Sequence, residues 1–166
     1  MAIKDAFIAE LKHETILTKK MLERVPLDQK AWKPHEKSMS LGRLATHVTE
    51  TLKWISVIRN IDDFDFTRDY DFKPQVAASQ EELLQLFQIN LENALTDLGA
   101  MSDDDFGKSW TVRRGEQVMY QVPKKVAVRG WGYSHQIHHR GQLSVYLRLL
   151  GVPVPGMYGP SADDKM

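Results

Sequence analysis

Three of the chain's six histidines fall in the run His135-Gln136-Ile137-His138-His139. Residues four apart on a helix lie about 40° from each other, so His135 and His139 stack on one face and can address one ion. With His135 as the zero of angle, Leu143, Tyr146, Leu147 and Leu150 fall between about 20° and 120°, which turns the pair toward the core. His138 lies about 60° to the other side, farther from the stripe, and is read as a supporting or surface residue and a reserve ligand. A second periodic stretch carries His47 at the margin of its stripe, within about 60° of Leu44 and 20° of Ile58, so it too reaches inward. A buried imidazole without partners is costly, because each ring brings two polar nitrogens and a possible charge into a low-dielectric interior. One divalent cation would satisfy all three. Three neutral imidazoles leave one or more coordination positions for water or substrate, the arrangement of a catalytic metal rather than a closed structural one. For each ring, a hydrogen bond to a carbonyl or a place on a solvated face remains the alternative.

The elements that must position these rings follow from periodicity. A first helix is predicted from about Lys4 to Arg24, stopped by Pro26, and the segment Leu27 to Ser38 reads as a connection anchored by Trp32. Ser40 caps a second helix that runs from Leu41 to about Asn60. The acidic, aromatic stretch between Ile61 and Ala78 reads as an ordered loop, because its Asp density and Pro74 outweigh its alternation. Ser79 and Glu82 form a capping box opening a third helix, which ends near Gly99 and Ser102. Trp110 to Val122 has the pattern of a small hairpin around Arg113-Arg114-Gly115-Glu116. Pro123 fits the first turn of a last helix that continues to Leu150 and stops at Gly151. The expected fold is therefore all-α, a four-helix bundle with a small irregular or hairpin insertion between the third and fourth helices, followed by an irregular tail.

Composition bounds the rest. With 166 residues, 42% hydrophobic and 27% charged, the chain suits one globular domain and not a disordered one. Its 22 basic and 22 acidic residues cancel, so it carries no electrostatic footprint for nucleic acid. Apolar runs are too short for a membrane span or a signal peptide, and the cytoplasm is the expected location. Cysteine is absent, which excludes disulfides, thiolate ligands and a cysteine nucleophile.

Three segments resemble the DinB/YfiT-like metalloenzyme superfamily: Ser40-Leu41-Gly42-Arg43-Leu44-Ala45-Thr46-His47, His135-Gln136-Ile137-His138-His139-Arg140-Gly141-Gln142, and Val154-Pro155-Gly156-Met157-Tyr158-Gly159-Pro160-Ser161-Ala162-Asp163. The resemblance spans nearly the whole chain, 1–166, as a single DinB-like domain. It implies a four-helix bundle with one divalent metal ion (Zn, Ni or Fe) held by His47, His135 and His139, and a homodimer in many members. It also implies metal-dependent chemistry of thiol S-transferase or hydrolase type on a small-molecule substrate. Since the protein offers no thiol, a transferase would take its sulfur from a low-molecular-weight thiol. The competing class is a non-enzymatic stress-response bundle whose metal is structural or sensory.

Around the rings, Glu50 stands three residues after His47 and about 60° from it, close enough to accept a hydrogen bond from the ring or act as a general base, against the ordinary alternative of a solvated helix-face carboxylate. Arg140 adjoins the histidine pair and could hold an acidic substrate, while its bland alternative, shared by Gln142, is ordinary helix-surface or interhelical hydrogen bonding. Trp131, Tyr133, Tyr146 and Tyr158 could line a pocket mouth or fill the core. The acidic stretch 62–71 could be a second cation site, but it lacks the glycine and terminal Glu of an EF-hand loop.

Overall fold

The computed structural model describes residues 2–71 and 73–164. Helix α1 (Ile3–Leu22), helices α2 (Leu41–Glu50) and α3 (Lys53–Asn60), helix α4 (Gln80–Ala100) and helix α7 (His135–Leu149) form the bundle. Between α4 and α7 lie a short helix α5 (Asp103–Gly107), strands β2 (Ser109–Arg114) and β3 (Gln117–Pro123), and a single turn α6 (Lys124–Ala127). Leu11, Met21, Leu44, Leu83 and Leu143 are almost wholly removed from solvent and meet in one core.

The predicted caps are present. Ser40 Oγ accepts from the Arg43 amide at 3.3 Å. Ser79 Oγ accepts from the Glu82 amide at 3.1 Å, and the Glu82 carboxylate takes the Ala78 amide at 2.6 Å, one residue earlier than in the usual reciprocal box. At the end of α7, Gly151 adopts φ 71°, a conformation that favours glycine. The Gly151 and Val152 amides then return to the Arg148 and Leu147 carbonyls, which satisfies two of the helix's orphan acceptors.

The single helix predicted over Leu41–Asn60 is interrupted after Glu50. Thr49 and Thr51 are fully buried, and their hydroxyls donate to the carbonyls of Thr46 and Val48 at 2.8 Å each. Such back-bonding competes with the helical ladder and bends it. Neighbouring helices take up the freed acceptors, with Asn90 Nδ2 donating to Thr49 O at 3.0 Å and Gln136 Nε2 approaching Val48 O at 3.4 Å.

The expectation of a strictly all-α fold is corrected at the insertion. The hairpin forms as predicted, with Gly115 at φ 58° in its turn and a bulge after Val112. The start of the acidic stretch, read as loop, adds a third strand β1 (Asp63–Asp65), parallel to β2 in the register Phe64↔Val112. Burial of Phe64 against the edge of the hairpin makes the difference, since both Phe64 and Val112 are almost wholly inaccessible. The next residues do turn. Asp65 Oδ1 accepts from the Thr67 amide, the Thr67 hydroxyl and the Gly115 amide, while Asp69 Oδ2 accepts from the Asp65 amide.

Pro123 ends β3 and caps α6 rather than opening the long helix from within. Between α6 and α7, Val128–Ser134 winds as a π-helix, with the His135 amide reaching back to Gly130 O. Gly132 lies against α3 so closely that a Cβ there would stand 3.0 Å from Ile55 Cγ1.

Candidate metal centre

Helix α2 contributes His47, and α7 contributes His135 and His139 from successive turns of one face. The three rings meet edge to face or tilted, with centroid separations of 5.1 Å (His47–His135), 4.5 Å (His47–His139) and 4.7 Å (His135–His139). One ring nitrogen from each lies within 4.8 Å of the others, forming a cluster able to hold a metal ion.

The surroundings prepare these nitrogens. His139 Nδ1 donates to Gln142 Oε1 at 2.7 Å, which leaves Nε2 with its lone pair. Glu50 Oε2 lies 3.4 Å from His47 Nδ1 and 2.8 Å from an Arg43 guanidinium nitrogen. The same guanidinium nitrogen lies 3.3 Å from His47 Nδ1, so the ring either donates from Nδ1 to Glu50 and keeps Nε2 free, or accepts from Arg43 at Nδ1. His135 Nδ1 is buried without a side-chain partner. Desolvation, with His139 and His47 alongside, pushes the His135 pKa down to about 4, against a backbone interaction with Trp131. The pKa of His139 is lowered too, chiefly by burial and against the pull of Gln142. Both rings are therefore neutral at physiological pH, the protonation state that ligates a cation. The donor set fits a borderline divalent ion that takes nitrogen ligands.

A cavity of about 530 Å³ adjoins His47 and His135. Its walls are aromatic, with Trp54 from α3, Phe64 and Phe66 from β1 and the turn after it, Tyr70, and Trp131 from the π segment. Glu50, Asp69, Asp71 and Lys53 supply its charged groups.

Two of the residues singled out in the sequence stand elsewhere. Arg140 follows His139 directly, yet its guanidinium points away from the cluster and is almost wholly buried. It donates to the Glu14 carboxylate at 2.7 Å, the Glu14 carbonyl and Thr18 Oγ1 at 3.0 Å each, and Tyr158 Oη at 2.6 Å. It is thus committed to joining α1, α7 and the tail, with no face toward a substrate beside the histidines. His138 is exposed and touches only the flank of the site, its ring 4.9 Å from that of His139.

Among the aromatic candidates, Trp131 reaches the cavity. Tyr133 donates to Phe7 O at 2.6 Å, Tyr146 to Met39 O at 3.2 Å, and Tyr158 to Glu14 Oε2 at 2.8 Å. Sequence reasoning missed Gln142 as the partner of His139, and missed the cavity wall formed by Phe64, Phe66 and Tyr70. The signal for the wall was the Asp-Phe-Asp-Phe alternation. The signal for Gln142 was its place three residues beyond His139. As for a second cation site at 62–71, the carboxylates of Asp63, Asp65 and Asp69 are bonded to Arg113, the Thr67 turn and Arg68.

Comparison with known proteins places this geometry. The model of the DinB family matches residues 2–165. An uncharacterized protein of Bacillus subtilis (strain 168), YrdA, is 26% identical over 167 residues, covering 96% of this chain and 90% of that protein. A DinB-like protein from Bacillus cereus ATCC 10987 shares the fold with a TM-score of 0.72 at 23% identity, covering 95% of this chain and 98% of the other. The DinB-like protein YjoA of Bacillus subtilis shares it at 0.67 and 19%, covering 88% and 94%. Among the described residues no helix is long and apolar enough to cross a membrane. The chain belongs to the DinB family.

Proposed function

We propose that the protein is a metal-dependent enzyme of thiol S-transferase or hydrolase type, with one divalent ion (Zn, Ni or Fe) held by His47, His135 and His139. The observation that carries this reading is the convergence of three imidazoles, two of them with Nδ1 engaged by neighbours, at the edge of a 530 Å³ cavity. A bound cation with three protein ligands supplies Lewis acidity and lowers the pKa of a coordinated thiol or water. The chain's own residues do the rest. Gln142 and Glu50 orient two of the rings. Glu50 also borders the cavity, where its carboxylate can take a proton from a nucleophile, and the aromatic walls offer apolar surface to a substrate. With no cysteine in the chain, the sulfur of a transferase reaction comes from a small cosubstrate. A homodimer is part of the proposal on family grounds, and sedimentation at micromolar concentration showing only monomer would remove it.

The test pairs bacillithiol, glutathione, mycothiol and coenzyme A with generic electrophiles, beside ester and amide substrates without thiol. Metal-dependent consumption of thiol and electrophile together supports the transferase arm, and metal-dependent turnover of the thiol-free panel supports the hydrolase arm. No turnover in either by metal-loaded protein would leave the non-enzymatic stress-response bundle with a structural or sensory metal.

A further inference from the structure

We infer that the cavity beside the histidines is a subsite for a neutral aryl group of about two fused rings, carried by a substrate whose polar head lies at the histidine cluster. The inference rests on the metal-centre reading for the head and on the cavity alone for the aryl group. The walls form a continuous aromatic surface. Trp54 and Trp131 have centroids 4.6 Å apart, Trp54 and Phe64 5.3 Å, Phe64 and Phe66 5.2 Å, and Phe66 and Tyr70 5.4 Å. Such rings present faces and edges to a planar guest and prefer offset or edge-to-face contact with it.

Size and charge narrow the guest. A dry apolar cavity of about 150 Å³ accommodates one benzene ring. The cavity of about 530 Å³ therefore has room for two fused rings and a head group, and a methyl-sized substrate would leave most of its wall uncovered. Aromatic walls with carboxylates nearby could also suit an organic cation. Here two of those carboxylates are already neutralised, Glu50 by Arg43 at 2.8 Å and Asp69 by Arg68 at 2.7 Å, and the charge of the third, Asp71, is offset in the lining by Lys53. A neutral ring is favoured over a cationic one.

The location separates the subsite from the metal ligands. Phe64, Phe66 and Tyr70 come from β1 and the turn behind it, an element that carries none of the three histidines. The wall can therefore be altered while the cluster stays intact.

Calorimetric titration of the Zn²⁺-loaded protein with 2-naphthoate, acetate and phenyltrimethylammonium tests the assignment. The expected result is 2-naphthoate binding at least about tenfold tighter than acetate. Phe66→Ala should cut naphthoate affinity by about tenfold and leave acetate and Zn²⁺ affinities unchanged. Tyr70 stands 47% exposed at the rim of the wall, and for Tyr70→Ala a several-fold loss confined to naphthoate is expected. Equal affinities for naphthoate and acetate in protein that binds Zn²⁺ would overturn the subsite. Tighter binding of phenyltrimethylammonium than of naphthoate would overturn the neutral aryl assignment. Protein that binds no Zn²⁺ but retains naphthoate in a Phe66-dependent way would support the subsite and sink the metal centre instead.

Discussion

Gln142 holds His139 from one turn away on the same helix, its amide oxygen 2.7 Å from the ring's Nδ1. That bond selects the tautomer whose other nitrogen keeps its lone pair for an ion. Gln142→Leu preserves bulk and removes the acceptor, and should weaken Zn²⁺ binding about 10–100-fold, the usual cost of losing a ligand's hydrogen-bond partner. Calorimetric titration would show it, and an unchanged affinity would mean the ring is held by packing alone.

The ligand set predicts a sharp contrast between adjacent histidines. His47→Ala, His135→Ala and His139→Ala should each abolish tight binding of about one divalent ion per chain, whereas His138→Ala should retain it. Elemental analysis of the purified variants, followed by titration, decides the matter. Retained affinity in His139→Ala would reject the proposed set.

Arg140 predicts stability rather than activity. Its charge is buried against Glu14, so Glu14→Gln leaves a guanidinium uncompensated and should cost about 3–5 kcal/mol in denaturant unfolding. Tyr158→Phe removes one hydrogen-bonding hydroxyl from the same network and should cost about 1 kcal/mol. If Glu14→Gln unfolds like the parent, the network carries no net stability.

Gly42 is one turn before Thr46 on α2, where an added Cβ would stand 2.8 Å from Lys30 Cβ and 2.8 Å from Val76 Cγ1. Gly42→Ala should therefore destabilise by about 1–3 kcal/mol through overpacking, despite alanine's better helix propensity. A melting temperature at or above that of the parent would show that the connection and the 73–78 segment give way freely.

Acid should loosen the wall of the cavity before the bundle. Arg68, with the Asp65 amide, holds the Asp69 carboxyl down at about 2 from its ordinary 3.8. A lowered carboxylate pKa favours the folded turn above about pH 4, and that contribution is lost as pH falls toward 2. Protection of the Asp65 amide, measured relative to its intrinsic exchange rate at each pH, should fall over that window, and Asp69→Asn should flatten the dependence. A protection factor that stays constant between pH 4 and 2 would show that the turn does not depend on this carboxylate.

Periodicity revealed the histidine cluster because a helix places residues four apart on one face, and the core stripes of α2 and α7 fixed which face was inward. The caps at Ser40, Ser79 and Gly151 were legible for the same local reason. The break after Glu50 was not, since the Thr49 and Val48 carbonyls there are met by Asn90 and Gln136, which come from other helices. For Arg140 the interhelical alternative holds, and the substrate role that adjacency suggested does not. Its position next to His139 suggested a shared site, but a step of about 100° along a helix turns its guanidinium toward α1. Strand β1 depends on the edge that the hairpin offers it, a partner more than forty residues away in the chain.

The π segment Val128–Ser134 bears on how this scaffold could be retuned. The His135 amide reaches back five residues to Gly130 O, so the segment takes in one residue more than ordinary winding would over the same stretch of helix. Taking that residue out would change which side chain stands beside the histidine pair in the cavity wall. Segment length thus acts as a selector for what the cavity presents, independent of the identity of any residue in it.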